Sequence, residues 1–311
     1  MLSRAASSLF WMARYLERAE SIARLLDVSL TAALMETNSD REQQLIAPLT
    51  ISGTTDTFYE LYEDMTAQNL IDFLLLNDQH GGSVFSCIRS ARDNAHHVRG
   101  NITADVWESI NSSWLDMKAI RQRGVSESSV SRFFDWVKER SHLFRGASYG
   151  TLLRNDAFRF LRLGTFIERA DNTARILDAH YHLSTSLENT ESARDLFEWT
   201  ALLHALGAYE AYQSIYADRM SSENVAELLI LNPDVPRSLR ACLHETAELL
   251  AHIEGDAGRA AKRLATSLSA NLRYGDRQYI ADRGLHEYLT DFLARINQIA
   301  DQIQNDYMGV A

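Results

Sequence analysis

Residues that break regular structure are scarce in this chain. Only 3 prolines and 14 glycines occur in 311 residues. That is too few for the frequent turns of a sandwich or an α/β fold, so long uninterrupted helices are expected. Cysteine is nearly absent. Cys87 and Cys242 are the only two, and two cysteines define no disulfide framework. Positive charge is in deficit, with 31 Lys and Arg against 42 Asp and Glu and a formal net charge of −11. This balance disfavours nucleic acid, where a basic face must displace counterions, and it disfavours an anionic membrane surface. No apolar run approaches the ~18 residues of a membrane span. Near the N-terminus, Arg14, Glu17 and Arg18 interrupt what would be the apolar core of a secretory signal. The expectation is a reduced, cytoplasmic protein.

What is present is core-forming material, 46% of the residues, recurring at helical spacing with no alternating strand pattern. The fold class read from this is all-α, a large helical bundle. A first helix is expected from Ser3 to about residue 36. The polar stretch 37–56, with Pro48 and Gly53, reads as the longest loop, and a helix is expected over 57–76. After a turn at "NDQHGG", Ser83 opens a helix, Thr103 opens one that Gly124 closes, and Ser126 opens one ending near Gly150. Asn155 or Asp156 caps the next. Further helices are expected over 191–219, 222–231, 236–270 and 282–307.

One phrase is written twice. "WMARYLERAESIARLLD" occupies residues 11–27 and "RLGTFIERADNTARILD" residues 162–178. A shift of 151 positions lays Glu17, Arg18, Ala19, Ala23, Arg24 and Asp27 on Glu168, Arg169, Ala170, Ala174, Arg175 and Asp178, with Glu20 on Asp171. A shift of 155 lays Asn77, Ser83, Cys87 and His97 on Asn232, Ser238, Cys242 and His252. Two blocks in one order at nearly one offset point to an internal duplication, with repeats of about 1–150 and 151–311. No Gly/Ser-rich or Pro-rich linker separates the repeats. They are therefore expected to form a single continuous domain over 1–311 with approximate two-fold symmetry.

At ~100° per residue, Leu9, Met12, Leu16, Ala19, Ala23 and Leu26 share an apolar arc. Glu20 and Asp27 lie at its edge, Arg24 and Glu17 just beyond, and Arg18 on another flank. The second copy places Asp171, Arg175 and Asp178 in the same way. An acid four residues before an arginine supports an isolated helix by only about 0.2–0.5 kcal/mol. Charges half-desolvated at a helix seam matter more, since stranding one costs roughly 3–5 kcal/mol. Two readings follow. The two helices exchange acid–arginine bonds as a structural lock, or the seam is a polar pocket in which Arg24 and Arg175 offer donors to a carboxylate or phosphate.

The opening "MLSRAASSLFWMARYLERAESIARLLD" resembles the start of the bacterial alpha-E family, named for its helical character and a recurring Glu-Arg motif. The segments "SCIRSARDNAHHVR", "FRFLRLGTFIERADNTARILD" and "PRSLRAC" continue the resemblance over nearly the whole chain. The Glu-Arg pair carries over to Glu17–Arg18 and Glu168–Arg169. The resemblance implies a part in making or attaching small peptides, alongside a circularly permuted ATP-grasp ligase. A transglutaminase-like protease homologue, and in some cases a proteasome-like peptidase, would be encoded nearby. It implies no catalytic residue set and no cofactor.

Other constellations carry less. "CIRSARDNAHHVR" sets Arg92 and Asn94 on a helix whose counterpart keeps only the cysteine and the last histidine, so that the first copy has either gained a binding role or drifted in solvent. His244, Glu248 and His252 stack on one helical face, a pattern more typical of a solvated face than of a metal site. "ALGAYEAYQ" reads as core. "HGGS" could expose amides at a helix N-terminus, a generic anion site. The shared Asn77 and Asn232 are expected to bond through their side chains, since Pro233 disfavours a left-handed cap at Asn232. The function expected is that of a binding or accessory subunit of a peptide-ligating system, working with a separate ATP-grasp enzyme. The alternatives are an enzyme using Glu17 or Glu168 as a general base on a peptide or amino-acid substrate, and a helical scaffold without a ligand.

Overall fold

A computed structural model describes residues 3–35, 38–184, 193–217, 220–253 and 258–309. Among the described residues there are fifteen α-helices and no strand, as expected from the scarcity of breakers. The chain divides into two compact units, Met1–Thr165 and Phe166–Ala311. The boundary falls within α8 (Asp156–Ser184).

In the first unit, α1 (Ser3–Met35) packs against α2 (Asn38–Ser52), α5 (Val84–His97) and α7 (Val130–Thr151), while α6 (Ala104–Arg123) packs between α5 and α7. Two short helices, α3 (Thr55–Leu61) and α4 (Ala67–Ile71), precede a π-helical turn at Asp72–Leu76. The core joins Ala19, Ala23 and Leu26 of α1 to Leu70, Phe73, Leu75 and Ile88. Helix starts follow capping chemistry. The side chains of Thr66, Ser83 and Thr103 accept from the amides of Asn69, Ser86 and Val106. Gly124, at φ 74°, ends α6 where a side chain would be strained.

The segment 38–52 corrects the sequence-based expectation, for it is helix α2 and not loop. Leu45 and Leu49, four apart and both buried, give it an apolar stripe against α1, and that packing outweighs Pro48 inside the helix. The break at Tyr62 to Thr66 inside the expected helix 57–76 is a second correction. Thr66 caps a new helix there, and the Asn69 side chain donates to the Asp64 carbonyl at 2.8 Å.

In the second unit, α9 (Ala193–Leu206), α10 (Tyr209–Ile215) and α11 (Ser222–Leu231) are followed by α12 (Leu239–Ala251) and α13 (Arg259–Tyr274). Then come α14 (Arg277–Arg283) and α15 (Leu285–Ile303). The α12 helix packs on α11 and α13, and α15 on α13 and α14. Three of the helices expected here are shorter than anticipated. Gly207 (φ 60°) separates α9 from α10, and Gly284 (φ 87°) separates α14 from α15. The region 236–270 is divided between α12 and α13. Residues 191, 192, 218 and 219 of the expected helix 191–219 lie outside the described residues.

Both units build the same turn before their capped helix. Asn77 Oδ1 accepts from the amides of Gln79 and His80 at 2.8 and 3.1 Å, and its carbonyl accepts from Ser83 Oγ at 2.5 Å. Asn232 Oδ1 accepts from the amides of Asp234 and Val235 at 2.8 and 3.2 Å, and its carbonyl from Ser238 Oγ at 2.5 Å. Both asparagines are extended, at φ −68° and −74°, so the side chain makes the turn without a left-handed backbone. Cys87 and Cys242 are buried thiols facing the Gly82 and Pro236 carbonyls of these turns, at 3.5 and 3.7 Å.

Gly164 of α8 lies against α1. A Cβ there would collide with the Phe10 carbonyl oxygen and sit 3.2 Å from Ala13 Cβ. Gly164→Ala is expected to cost about 3 kcal/mol or more, lowering Tm by about 6–12 °C. Gly146→Ala in α7, where a Cβ meets nothing within 4 Å, leaves Tm unchanged or higher. Paired thermal melts check both.

Candidate functional site

The α1 phrase is more deeply buried than its helical wheel suggests. Glu17 is 2% exposed and Glu20 is fully buried. Two buried carboxylates on adjacent turns repel each other unless cations stand between them, and the cations come from two helices. Arg24 Nε donates to Glu20 Oε1 at 2.9 Å from the next turn of α1. From α7, Arg145 Nη1 donates to Glu20 Oε2 and, at 3.2 Å, to Glu17 Oε2. Ser141, one turn earlier on α7, donates its hydroxyl to Glu20 Oε2 at 2.6 Å and accepts from Arg145 at 3.0 Å. Glu20 thus takes three charged or polar donors on its two oxygens, and the four ionic groups balance in charge. The arrangement locks α1 to α7.

Asp27, further along α1, lies 3.5 Å from Lys138 Nζ, again on α7. Arg18 points elsewhere, its guanidinium 6.0 Å from the Tyr15 ring centre, consistent with the flank assigned to it. Arg14 is buried, its guanidinium 4.8 Å from the Trp11 ring. Sequence reasoning missed Arg145, Ser141 and Lys138. Arg145 lies in the last third of α7, whose end at Thr151 is close to the expected one near Gly150.

The second occurrence of the phrase keeps the acid-to-arginine pair in other surroundings. Asp171 receives a two-pronged bond from Arg175, Nε at 2.7 Å and Nη2 at 3.2 Å, but the Arg175 side chain is 42% exposed against 19% for Arg24. Glu168 is buried. Arg169 is also buried, its guanidinium 5.7 Å from the Phe166 ring and donating to the Pro236 carbonyl at 3.4 Å. Thr173 donates to the neighbouring Arg237 carbonyl at 2.9 Å. Asp178 meets His286 Nδ1 of α15 at 2.7 Å, as Asp27 meets a cation of α7. Arg24 and Arg175 each bind the acid four residues earlier on their own helix.

The "CIRSARDNAHHVR" helix builds a separate cluster. Arg92 and Arg99 lie 5.7 and 4.8 Å from the Trp107 ring, with His96 6.0 Å away. Arg92 also pairs with Asp93 at 3.2 Å. Asn94 donates to the Ser90 carbonyl of its own helix at 2.8 Å, which occupies its amide and weakens its case as a ligand. In the "HGGS" turn, Ser83 covers the Ser86 amide. His80 stacks on Phe73 at 4.3 Å, and burial pushes its pKa down. His244, Glu248 and His252 are solvent-exposed, and His252 Nδ1 lies 2.7 Å from the Glu248 carbonyl. Among the described residues no group of three or more His, Cys, Asp or Glu is placed to hold a metal ion. Among them, too, no helix is long and apolar enough to cross a membrane.

A Glu-Arg pair opening a buried charged phrase, in an all-helical chain, matches a family model described as a predicted alpha-helical domain with a conserved ER motif, over residues 1–308. The chain belongs to the Alpha-E family. No curated protein and no solved structure matches it significantly. In this Alpha-E chain both motif glutamates, Glu17 and Glu168, are buried, while Arg18 is half-exposed and Arg169 buried. The two residues of the motif therefore act on different surroundings, and the neighbouring acid, Glu20, makes the bonds that close the lock.

Arg145→Ala removes the α7 cation from two buried carboxylates and is expected to cost about 3–5 kcal/mol, a Tm drop of about 10 °C. Arg175→Ala removes a part-exposed partner from the buried Asp171 and is expected to cost less, about 1–2 kcal/mol. Denaturant unfolding of the two variants side by side checks the contrast. Equal losses would show that exposure does not separate the two sites.

Proposed function

We propose that this protein is an accessory or binding subunit of a cytoplasmic peptide-ligating system, working with a separate circularly permuted ATP-grasp ligase. The observation that supports the reading most is the saturation of the charged phrase. Glu20 has three internal donors and no exposure, and Glu17 shares Arg145. A general base must reach a substrate proton within about 3 Å, and carboxylates in this arrangement reach their own protein instead. The charged phrase then fixes α1 against α7, and activation of a carboxylate with ATP falls to the partner. The repeated asparagine turn and the repeated acid-to-arginine spacing support descent of the two units from one duplicated ancestor. A transglutaminase-like protein encoded nearby would be a further partner.

The partnership is tested by co-expressing the tagged chain with the ATP-grasp protein of its own genome. The expected result is a co-purifying complex that consumes ATP in the presence of amino-acid or peptide substrates, with neither protein doing so alone at a comparable rate. Turnover by this chain alone, abolished by Glu17→Gln with folding intact, would contradict the proposal in favour of an enzyme. Failure to recover any complex would also count against it.

A further inference from the structure

Two clefts flank α14 in the second unit, and they differ in what their polar groups are doing. The first, about 490 Å³, is lined by Glu223, Glu227 and Arg277. Its charges are already joined. Tyr216 donates its hydroxyl to Glu227 at 2.5 Å, Arg277 pairs with the same carboxylate, and Arg277 also donates to Asn224 Oδ1 at 2.6 Å. Burial and the Glu227 carboxylate raise the Tyr216 pKa to about 12, so the phenol keeps the proton it donates.

The second cleft, about 440 Å³, opens between α13, α14 and α15. Its aromatic walls are Tyr274, Tyr279, Tyr288 and Phe292, and its cations are Arg283 and Arg295. Gly275 shapes the entrance, since a Cβ there would lie 2.8 Å from the Asn271 carbonyl. Each guanidinium is steadied by a neutral neighbour. The Asn271 carboxamide, with its nitrogen toward the Ser267 carbonyl, accepts from Arg295 Nη1 and Nη2 at 2.9 and 3.1 Å. The Tyr279 phenol beside Arg283 raises that arginine's pKa. The acid between them, Asp291, stays at 3.6 Å from Arg283 and 3.8 Å from Arg295, and Glu287 is 3.8 Å from Arg283. These gaps exceed hydrogen-bond length, and a guanidinium has more donors than its neighbours take here. Tyr274 and Tyr279 are 78% and 53% exposed, which leaves two ring faces beside two positioned cations. Burial raises the Tyr288 pKa to about 12, so it lines the cleft as a neutral phenol.

We infer that this cleft binds a small carboxylate carrying an aromatic ring, with Arg283 and Arg295 on the carboxylate and the tyrosines against the ring. The volume lies within the range of small-molecule sites, and planar guanidinium donors match a carboxylate in paired fashion. The lining charges decide between carboxylate and polyphosphate. Asp276 and Asp291 balance Arg283 and Arg295, and Glu287 stands beside Arg283, so no excess positive charge exists for a highly charged nucleotide, whereas a zwitterion with no net charge is matched best. Both an aromatic amino acid and the carboxyl end of an aromatic peptide have this chemistry. The assignment stands on the second unit's own geometry and not on the ligase partnership.

The test uses the full chain, titrated calorimetrically with L-phenylalanine, N-acetyl-L-phenylalanine, phenylalanine amide and adenosine monophosphate. Binding of either carboxylate is expected, the tighter of the two identifying free amino acid or peptide end as the source, with the amide weaker by about tenfold. Arg283→Gln and Arg295→Gln are each expected to weaken carboxylate binding by about tenfold, with thermal melts reporting whether the variants fold. Tyr274→Ala, at an exposed rim position that tolerates change, is expected to weaken it by about threefold. No binding of either carboxylate at about 10 mM would overturn the assignment. So would binding that well-folded arginine variants leave unchanged, or tighter binding of the nucleotide than of both carboxylates.

Discussion

Two carboxylates held out of water on adjacent turns of one helix are the constraint around which the first unit is arranged. Neither Glu17 nor Glu20 can be ionised there without cations in contact, and α1 itself provides Arg24, 2.9 Å from Glu20. Arg145 reaches both carboxylates from α7, which requires α7 to lie alongside α1 in one register, with Ser141 a turn away as a further donor to Glu20. Hydrophobic contacts among Ala19, Ala23 and Leu26 would tolerate a helix sliding by part of a turn. A buried ionic contact would not, because each lost bond leaves an unpaired charge. The gain is positional specificity more than net stability.

The second unit carries the same phrase and the same turn in other surroundings. The asparagine turn, the serine cap and the buried thiol behind it recur in nearly identical geometry. Within the charged phrase the acid-to-arginine pair on one helix recurs, Asp171 with Arg175 as Glu20 with Arg24, while Asp178 meets a histidine where Asp27 meets a lysine. What repeats is local chemistry, which depends on few residues. What diverges depends on side chains arriving from elsewhere in the fold. The α13–α15 cleft belongs to this divergent class, built from arginines and tyrosines outside the repeated phrase.

The same distinction governs how much could be read from the amino acids alone. The all-helical class, the starts at Ser83 and Thr103, the stop at Gly124 and the bonding role of Asn77 and Asn232 were legible because each is a local rule written in one or two residues. Helix α2 was not, because Pro48 and polar neighbours outvote Leu45 and Leu49 locally, and only packing against α1 reverses the vote. The partners of Glu20 were not legible either. Arg145 is 125 positions away, and no periodicity relates two helices that meet only in the folded chain. The motif residues were visible, while the bonds that give them meaning were not. Arg283 and Arg295 had no signal at all, since they gain significance only from Asn271 and Tyr279 beside them.

The claim that the charged phrase is an internal lock rests on direct coupling between α1 and α7. A double-mutant cycle of Glu20→Gln and Arg145→Met, read by denaturant unfolding, measures that coupling free of each variant's own packing cost. A coupling energy of at least about 2 kcal/mol is predicted. Additive effects, within about 0.5 kcal/mol, would contradict the lock.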